Sequence, residues 1–310
     1  VTCDLDDSNI HAAVDLWISD QATAEATYGH ISTWDTSCVT NMAELFSQAA
    51  NFNEDISSWD VSNVIDMFRI FYQANTFNQD IGGWNVSNVT NMRGMFIGAW
   101  DFNQNINSWN VSNVTNMTDM FNDARAFNQP LNNWDVSSVT NMQYMFHSAD
   151  TFNQPLNNWN VSNVSSMNNM FGYAQAFNQD IGGWDTSGVS GGINDCFNRM
   201  FDGATSFNQD ISTWDISNAS SIYGMFEGAA SFDQDISNWD ISNIYYIDDI
   251  FNFSGLSTEN YDNILIGWSQ QELQSVDFND FTIQFGAAGI YYCNAEEERQ
   301  SIIDNYGWII

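Results

Sequence analysis

Nine tryptophans recur along the chain, and the residue after each is an aspartate or an asparagine: Asp35, Asp60, Asn85, Asn110, Asp135, Asn160, Asp185, Asp215 and Asp240. A serine follows two positions later in every case, from Ser37 and Ser62 to Ser242. Stacked carboxylate, amide and hydroxyl oxygens suit hard cations, calcium first, with Asp35, Asp60, Asp215 and Asp240 as the carboxylates that could hold it. The same oxygens could instead meet a repetitive surface, as a low-chemistry binding face. Aspartate, asparagine and serine also close turns on their own backbone without any ligand, and that plainer use is the competing reading. Neither use requires a cofactor.

Other constellations carry less. Gly188-Val-Ser190-Gly-Gly192 has the spacing of a nucleophile elbow, which needs a preceding strand, a following helix and a histidine partner. The three histidines, His11, His30 and His147, share no spacing with it or with the cysteines, so neither a hydrolase nor a zinc site is expected and no catalytic residue is assigned. A methionine column (Met42, Met67, Met92, Met117, Met142, Met167) could be soft-metal ligands, but methionine beside phenylalanine at this spacing reads as pliable core.

The charge is one-sided: 39 acidic residues against 5 basic ones, all arginine, for a net charge of −34. Such a chain is repelled by nucleic acid and by anionic membrane surfaces. No apolar run of about 18 residues is present, so membrane insertion is not expected. With 44% hydrophobic residues, the chain can fill a long core.

These columns are held by a 25-residue repeat. Its marker is Trp34, Trp59, Trp84, Trp109, Trp134, Trp159 and Trp184, then Trp214 after a five-residue insertion, then Trp239. A fixed period of this length means units that bury their apolar faces against neighbours. Trp59 and Val61 alternate with polar residues, which predicts a short strand. Val89, Met92, Met95, Phe96 and Ala99 follow at steps of three and four, which predicts about three turns of helix. The expected fold class is therefore an α/β repeat solenoid of strand–turn–helix units. A second polar column, Asn53, Asn78, Asn103, Asn128, Asn153, Asn178 and Asn208, reads as a turn-bonding asparagine ladder.

The repeat F-N-Q-D-I-x-x-W-D-V-S-N-V-T-N-M-x-x-M-F-x-x-A resembles the BspA-type leucine-rich repeat, also called DUF285, over roughly residues 30 to 255. The tail, from Leu256 to Trp268 and from Arg299 to Trp308, is similar to the C-terminal cap of such proteins in marine Bacteroidetes. The resemblance implies a right-handed leucine-rich-repeat-like coil. It also implies a secreted or cell-surface protein that works by adhesion and interaction, with a protein or surface glycan as partner. The alternative is self-association, as the protomer of an extracellular filament or sheath assisted by calcium.

The expected organisation is an N-terminal helical cap over residues 1–33, nine repeats over 34–255 with the insertion near 190–197, and a C-terminal cap over 256–310. Ile10, Ala13, Val14 and Trp17 would form the buried side of a first helix. In the C-terminal cap, helices are expected near 260–268 and 295–305, and strands at 278–283, 289–292 and 307–310. Four cysteines in a secreted chain suggest disulfides. Cys38 stands where most repeats have asparagine, beside the N-terminal cap, and pairs most naturally with Cys3; Cys196 and Cys293 are then left to each other or free.

Overall fold

The computed structural model describes residues 4–190, 192, 196–275 and 283–310. Four α-helices occur among them, all outside the repeats: α1 (Ile10–Ser19), α2 (Gln21–Tyr28), α3 (Thr258–Trp268) and α4 (Glu296–Tyr306). No extended strand occurs among the described residues, only isolated parallel bridges such as Asn41 to Asp66, Asp66 to Asn91 and Asn91 to Asn116. None of the four helices is long and apolar enough to cross a membrane.

This overturns the expected α/β, leucine-rich-repeat-like unit of strand, turn and helix. The backbone hydrogen bonds say why. In the segment expected to be helical, no amide reaches the carbonyl four residues back. Met42, Glu44, Phe46 and Gln48 donate instead to the carbonyls of Asp66, Phe68, Ile70 and Tyr72, on the next coil, at 3.0, 2.7, 2.9 and 2.6 Å. The amides between them close tight turns: Leu45 to Met42, Ser47 to Glu44 and Ala49 to Phe46, at 3.0–3.3 Å. Donors thus alternate between the neighbouring coil and the coil's own turn.

The alternation needs a backbone reversal every four residues. Glu44 and Gln48 have φ of 60° and 62°, and Arg69 and Gln73 have 51° and 54°. The same two register positions are Gly94 and Gly98 in the next coil. A non-glycine residue in this left-handed region costs roughly 1–2 kcal/mol. The inter-coil bond that each reversal permits, together with the apolar side chains it turns inward, offsets that cost. The stretch expected to be a strand is likewise a pair of turns, Trp59 N–H to Ile56 and Val64 N–H to Val61.

What the columns bury is as the spacing predicts. Trp59, Trp84 and Trp109, with Val64, Met92, Phe96 and Phe102, are all at most 4% exposed. Equivalent rings stack coil on coil. Phe46, Phe71 and Phe96 lie 5.6 Å apart in sequence, nearly parallel, and Trp109 lies 6.4 Å from Trp134 at 4°. From Trp59 to Trp239, each marker indole N–H donates to a carbonyl of the preceding coil, as Trp84 does to Ile56 and Trp109 to Ile81. The unit is therefore a coil of consecutive turns that owes its order to the coils above and below.

The insertion leaves this stacking intact. Phe197 is buried where methionine stands elsewhere, and Phe171 donates to Met200 as Phe146 does to Met170. Residues 191 and 193–195 of the insertion lie outside the described residues. At the N-terminal end, Ile10, Ala13, Val14 and Trp17 are the buried side of α1, and the Asp7 carboxylate accepts from the Thr40 amide and hydroxyl and from the Asn41 amide. At the other end, α3 inserts Trp268 beneath the last coil, where its indole donates to Ile236. Phe251 and Phe253 of that coil donate to Gly286 and Ala288. Of the expected terminal strands, 278–282 lie outside the described residues, 289–292 holds turns, and 307–310 keeps one parallel bridge, Ile309 to Gln284.

Candidate functional site

The nine residues after the tryptophans lie where the sequence put them, exposed and one per coil. Each uses an oxygen locally. The Oδ1 atoms of Asp35, Asp60, Asn85, Asn110 and Asp135 accept from the amides of Ser37, Ser62, Ser87, Ser112 and Ser137 at 3.0–3.3 Å. Asn160, Asp185, Asp215 and Asp240 do the same with Ser162, Ser187, Ser217 and Ser242. The serine hydroxyl and then its amide hold the Asp35, Asp135 and Asp215 carboxyls below their ordinary range. Among the described residues, no three His, Cys, Asp or Glu side chains converge to hold a metal ion.

Two further columns of such turns carry no signal in the tryptophan register: Asp55 accepts from Ser57, and Asp66 from Phe68, at 2.9 Å. The asparagine ladder, expected to bond within its own turns, runs between coils. Asn103 donates its amide to Asn78 Oδ1, while its own Oδ1 accepts from the Asn128 amide and from Gln129 Nε2.

Ser190 of the elbow motif donates to the Gly188 carbonyl. The histidines contact other groups: His11 the Ala43 carbonyl, His30 the Ser32 hydroxyl, and His147 the rings of Tyr144 and Tyr173. Cys38 is disulfide-bonded; its expected partner, Cys3, lies outside the described residues. Cys196 is buried, and Cys293 is an exposed free thiol.

A second face, the variable positions of the segment expected to be helical, is the outer side of residues 42–50 and their equivalents. There the side chains change from coil to coil. They include Phe68, Arg69, Tyr72, Arg93, Trp100, Arg125, Tyr144, His147, Tyr173, Arg199, Tyr223 and Phe253. Four of the five arginines are here, and three sit over aromatic rings. The Arg69 guanidinium is 5.1 and 4.9 Å from the Phe68 and Tyr72 rings, Arg125 is 4.8 Å from Trp100, and Arg199 is 5.0 Å from Tyr223. Arg125 donates to Asp123 at 2.7 Å, and the Trp100 indole donates to the other oxygen of the same carboxylate at 2.8 Å.

Further along the face, Arg199 bridges Asp202 at 3.0 Å and Glu227 at 3.6 Å. Burial raises the Asp202 carboxyl against the pull of Arg199. Burial, and then the charge of Asp202, raises Glu227. The one signal for this face in the sequence is that arginine and surface aromatics fall in the register positions that vary.

His147 makes a pH prediction. Burial lowers its pKa from 6.5, against the opposing pull of Asp119 and Asp123. The folded chain then binds fewer protons there than the unfolded chain, so stability is full above about 6.5 and declines as pH falls through the folded value. Melting temperature should drop between pH 7.5 and 5.5, and His147→Gln should flatten that drop. An unchanged slope in the variant would assign the loss to other groups.

A family model described as "Mycoplasma protein of unknown function, DUF285" matches three overlapping stretches, residues 18–132, 98–198 and 192–279. No curated protein matches the chain significantly.

Proposed function

We propose that this chain, which belongs to the DUF285 family, is a non-catalytic interaction protein that binds through the variable face of its coils. The observation that supports this is a division of labour on the surface. The columns that repeat are spent on hydrogen bonds within and between coils. The positions that vary collect arginine and exposed aromatics, with Trp100, Tyr173 and Phe253 at 42%, 46% and 70% exposure. Arginine, tryptophan and tyrosine are the residues that dominate binding energy at interfaces. A disulfide at Cys38 fits an oxidising, extracellular or cell-surface location.

The test compares two variants for retention on cell-envelope material of the producing organism. One carries Trp100→Ser, Tyr173→Ser, Arg199→Ser and Phe253→Ser. The other carries Asp60→Asn, Asp135→Asn and Asp215→Asn. The first should lose retention at least tenfold and the second should keep it. The opposite pattern would move function to the aspartate column.

A further inference from the structure

Twelve of the thirteen tryptophans are at most 4% exposed, whereas Trp100 is 42% exposed. It is held in place all the same. Its indole N–H donates to Asp123 Oδ2 at 2.8 Å, and the Arg125 guanidinium lies 4.8 Å from its ring. Its carbonyl accepts from the Ala126 amide at 3.1 Å. A side chain already fixed loses little freedom when a ligand docks on it.

Beside this indole the surface has a gap. Gln48, Gln73, Gly98, Asp123 and Ser148 are successive members of one register position, and Gly98 is the one among them without a side chain. Between Gln73 and Asp123 lies a groove of about 280 Å³, lined also by Asn75, Ile97, Gly98 and Trp100. A Cβ on Gly98 would stand 3.4 Å from Gln73 Cγ, so a longer side chain there would fill the groove. Sites for drug-sized ligands span roughly 300–1,000 Å³, and this smaller one suits a single ring.

The walls set the chemistry. Asn75 spends its Nδ2 on the Gly98 carbonyl at 2.9 Å, which leaves its Oδ1 to accept. The Gln73 side chain makes no hydrogen bond among the described residues and offers both a donor and an acceptor. Arg125 Nε lies 2.7 Å from Asp123 Oδ1 and offsets the one charge on the lining, in a chain whose net charge of −34 repels anions. Two amides and a carboxylate that accept from hydroxyls, beside the apolar surface of an indole, suit a neutral polyhydroxyl ring. A peptide finds no open edge here, because the Gln73 and Gly98 amides are spent on the Ile97 and Asn122 carbonyls.

We infer that the groove at Trp100 is a subsite for a neutral saccharide, with the apolar face of one sugar ring against the indole and its hydroxyls on Gln73, Asn75 and Asp123. The inference rests on the variable face being the binding face, and names the ligand class for this part of it.

The experiment titrates the full chain by calorimetry with cellohexaose, mannohexaose and galactohexaose, and with alginate oligosaccharides and polyglutamate as charged probes. At least one neutral hexaose should bind, and it should shield the exposed indole from quenching by acrylamide. Trp100→Ala should weaken binding at least tenfold by removing the platform, and Gly98→Gln should do so by filling the groove. Asp215→Asn, in the aspartate column, should leave binding unchanged. Gln48 and Gln73 hold φ of 62° and 54° in the register of Gly98, so Gly98→Gln should fold as the parent does. Undiminished binding in Gly98→Gln would overturn the groove as the site. A charged probe that binds more tightly than every neutral sugar, with the same dependence on Trp100, would overturn the neutral assignment. If no saccharide binds while the serine variant above still loses envelope retention, the subsite falls and the binding face stands. If that variant also keeps its retention, both fall.

Discussion

Truncating Trp134 to alanine should destabilise the protein by roughly 3–5 kcal/mol, the range for removing a large aromatic from a packed core. Trp134 is 3% exposed, lies parallel to Trp109 at 6.4 Å and packs on Phe121 at 6.2 Å. Its indole N–H donates to the Ile106 carbonyl at 3.0 Å, which also accepts from the Trp109 amide, so alanine removes one of that buried carbonyl's two bonds. Trp134→Phe separates the two effects. It keeps most of the packing and loses the donor, and should cost about 1–3 kcal/mol. Denaturant melts of both variants measure the difference. No loss in Trp134→Phe would mean the indole bond contributes nothing, and equal losses would mean the packing does.

The second large effect is expected at Asn103, a residue half-buried on the surface. Asn103→Ala removes the acceptor for the Asn128 amide and for Gln129 Nε2. Leaving donors unsatisfied costs about 1–3 kcal/mol, and the alanine also loses its own side-chain packing. Asn103→Asp should be far milder, because it keeps the oxygen. The protein already makes that exchange at the end of the ladder. Asp233 donates its amide to Asn208 Oδ1 and accepts from the Ser257 amide. Burial works against the Asp233 charge, but bonds from Ser257 and Asn260 outweigh it and hold its pKa low. The same melts decide the point, and alanine no worse than aspartate would refute the ladder's role.

The apolar columns were legible because burial depends on spacing alone. Met117, Phe121 and Trp134 point inward whatever the backbone does between them. The backbone was misread for the same reason. A helix and a run of four-residue turns both place apolar residues at steps of three and four, so hydrophobic period cannot separate them. Glycine could have. Gly94 with Gly98, and Gly224 with Gly228, stand four apart in the same register of a supposed helix, where each glycine costs about 1 kcal/mol. Both pairs have positive φ. At the ends, where helices do form, the chain offers ordinary signals, such as Ser257 capping α3 through the Asn260 amide.

The aspartate column drew attention because it repeats, yet repetition marks what every coil needs in order to close. The seating of Arg125 over Trp100 and of Arg199 over Tyr223 was harder to see, because it joins neighbouring coils in space.

The bonds that join coils have a mechanical consequence. They run along the stack, from each coil to the next, and no strand or helix ties distant coils together among the described residues. A pull applied between the two ends would load them one coil at a time, as a zipper is opened, rather than all at once in shear. Each 25-residue coil that lets go frees about 80–90 Å of chain at roughly 3.3–3.6 Å per residue. Under tension such a molecule would lengthen in equal steps and absorb work at each one, while the coils still closed keep their faces in place.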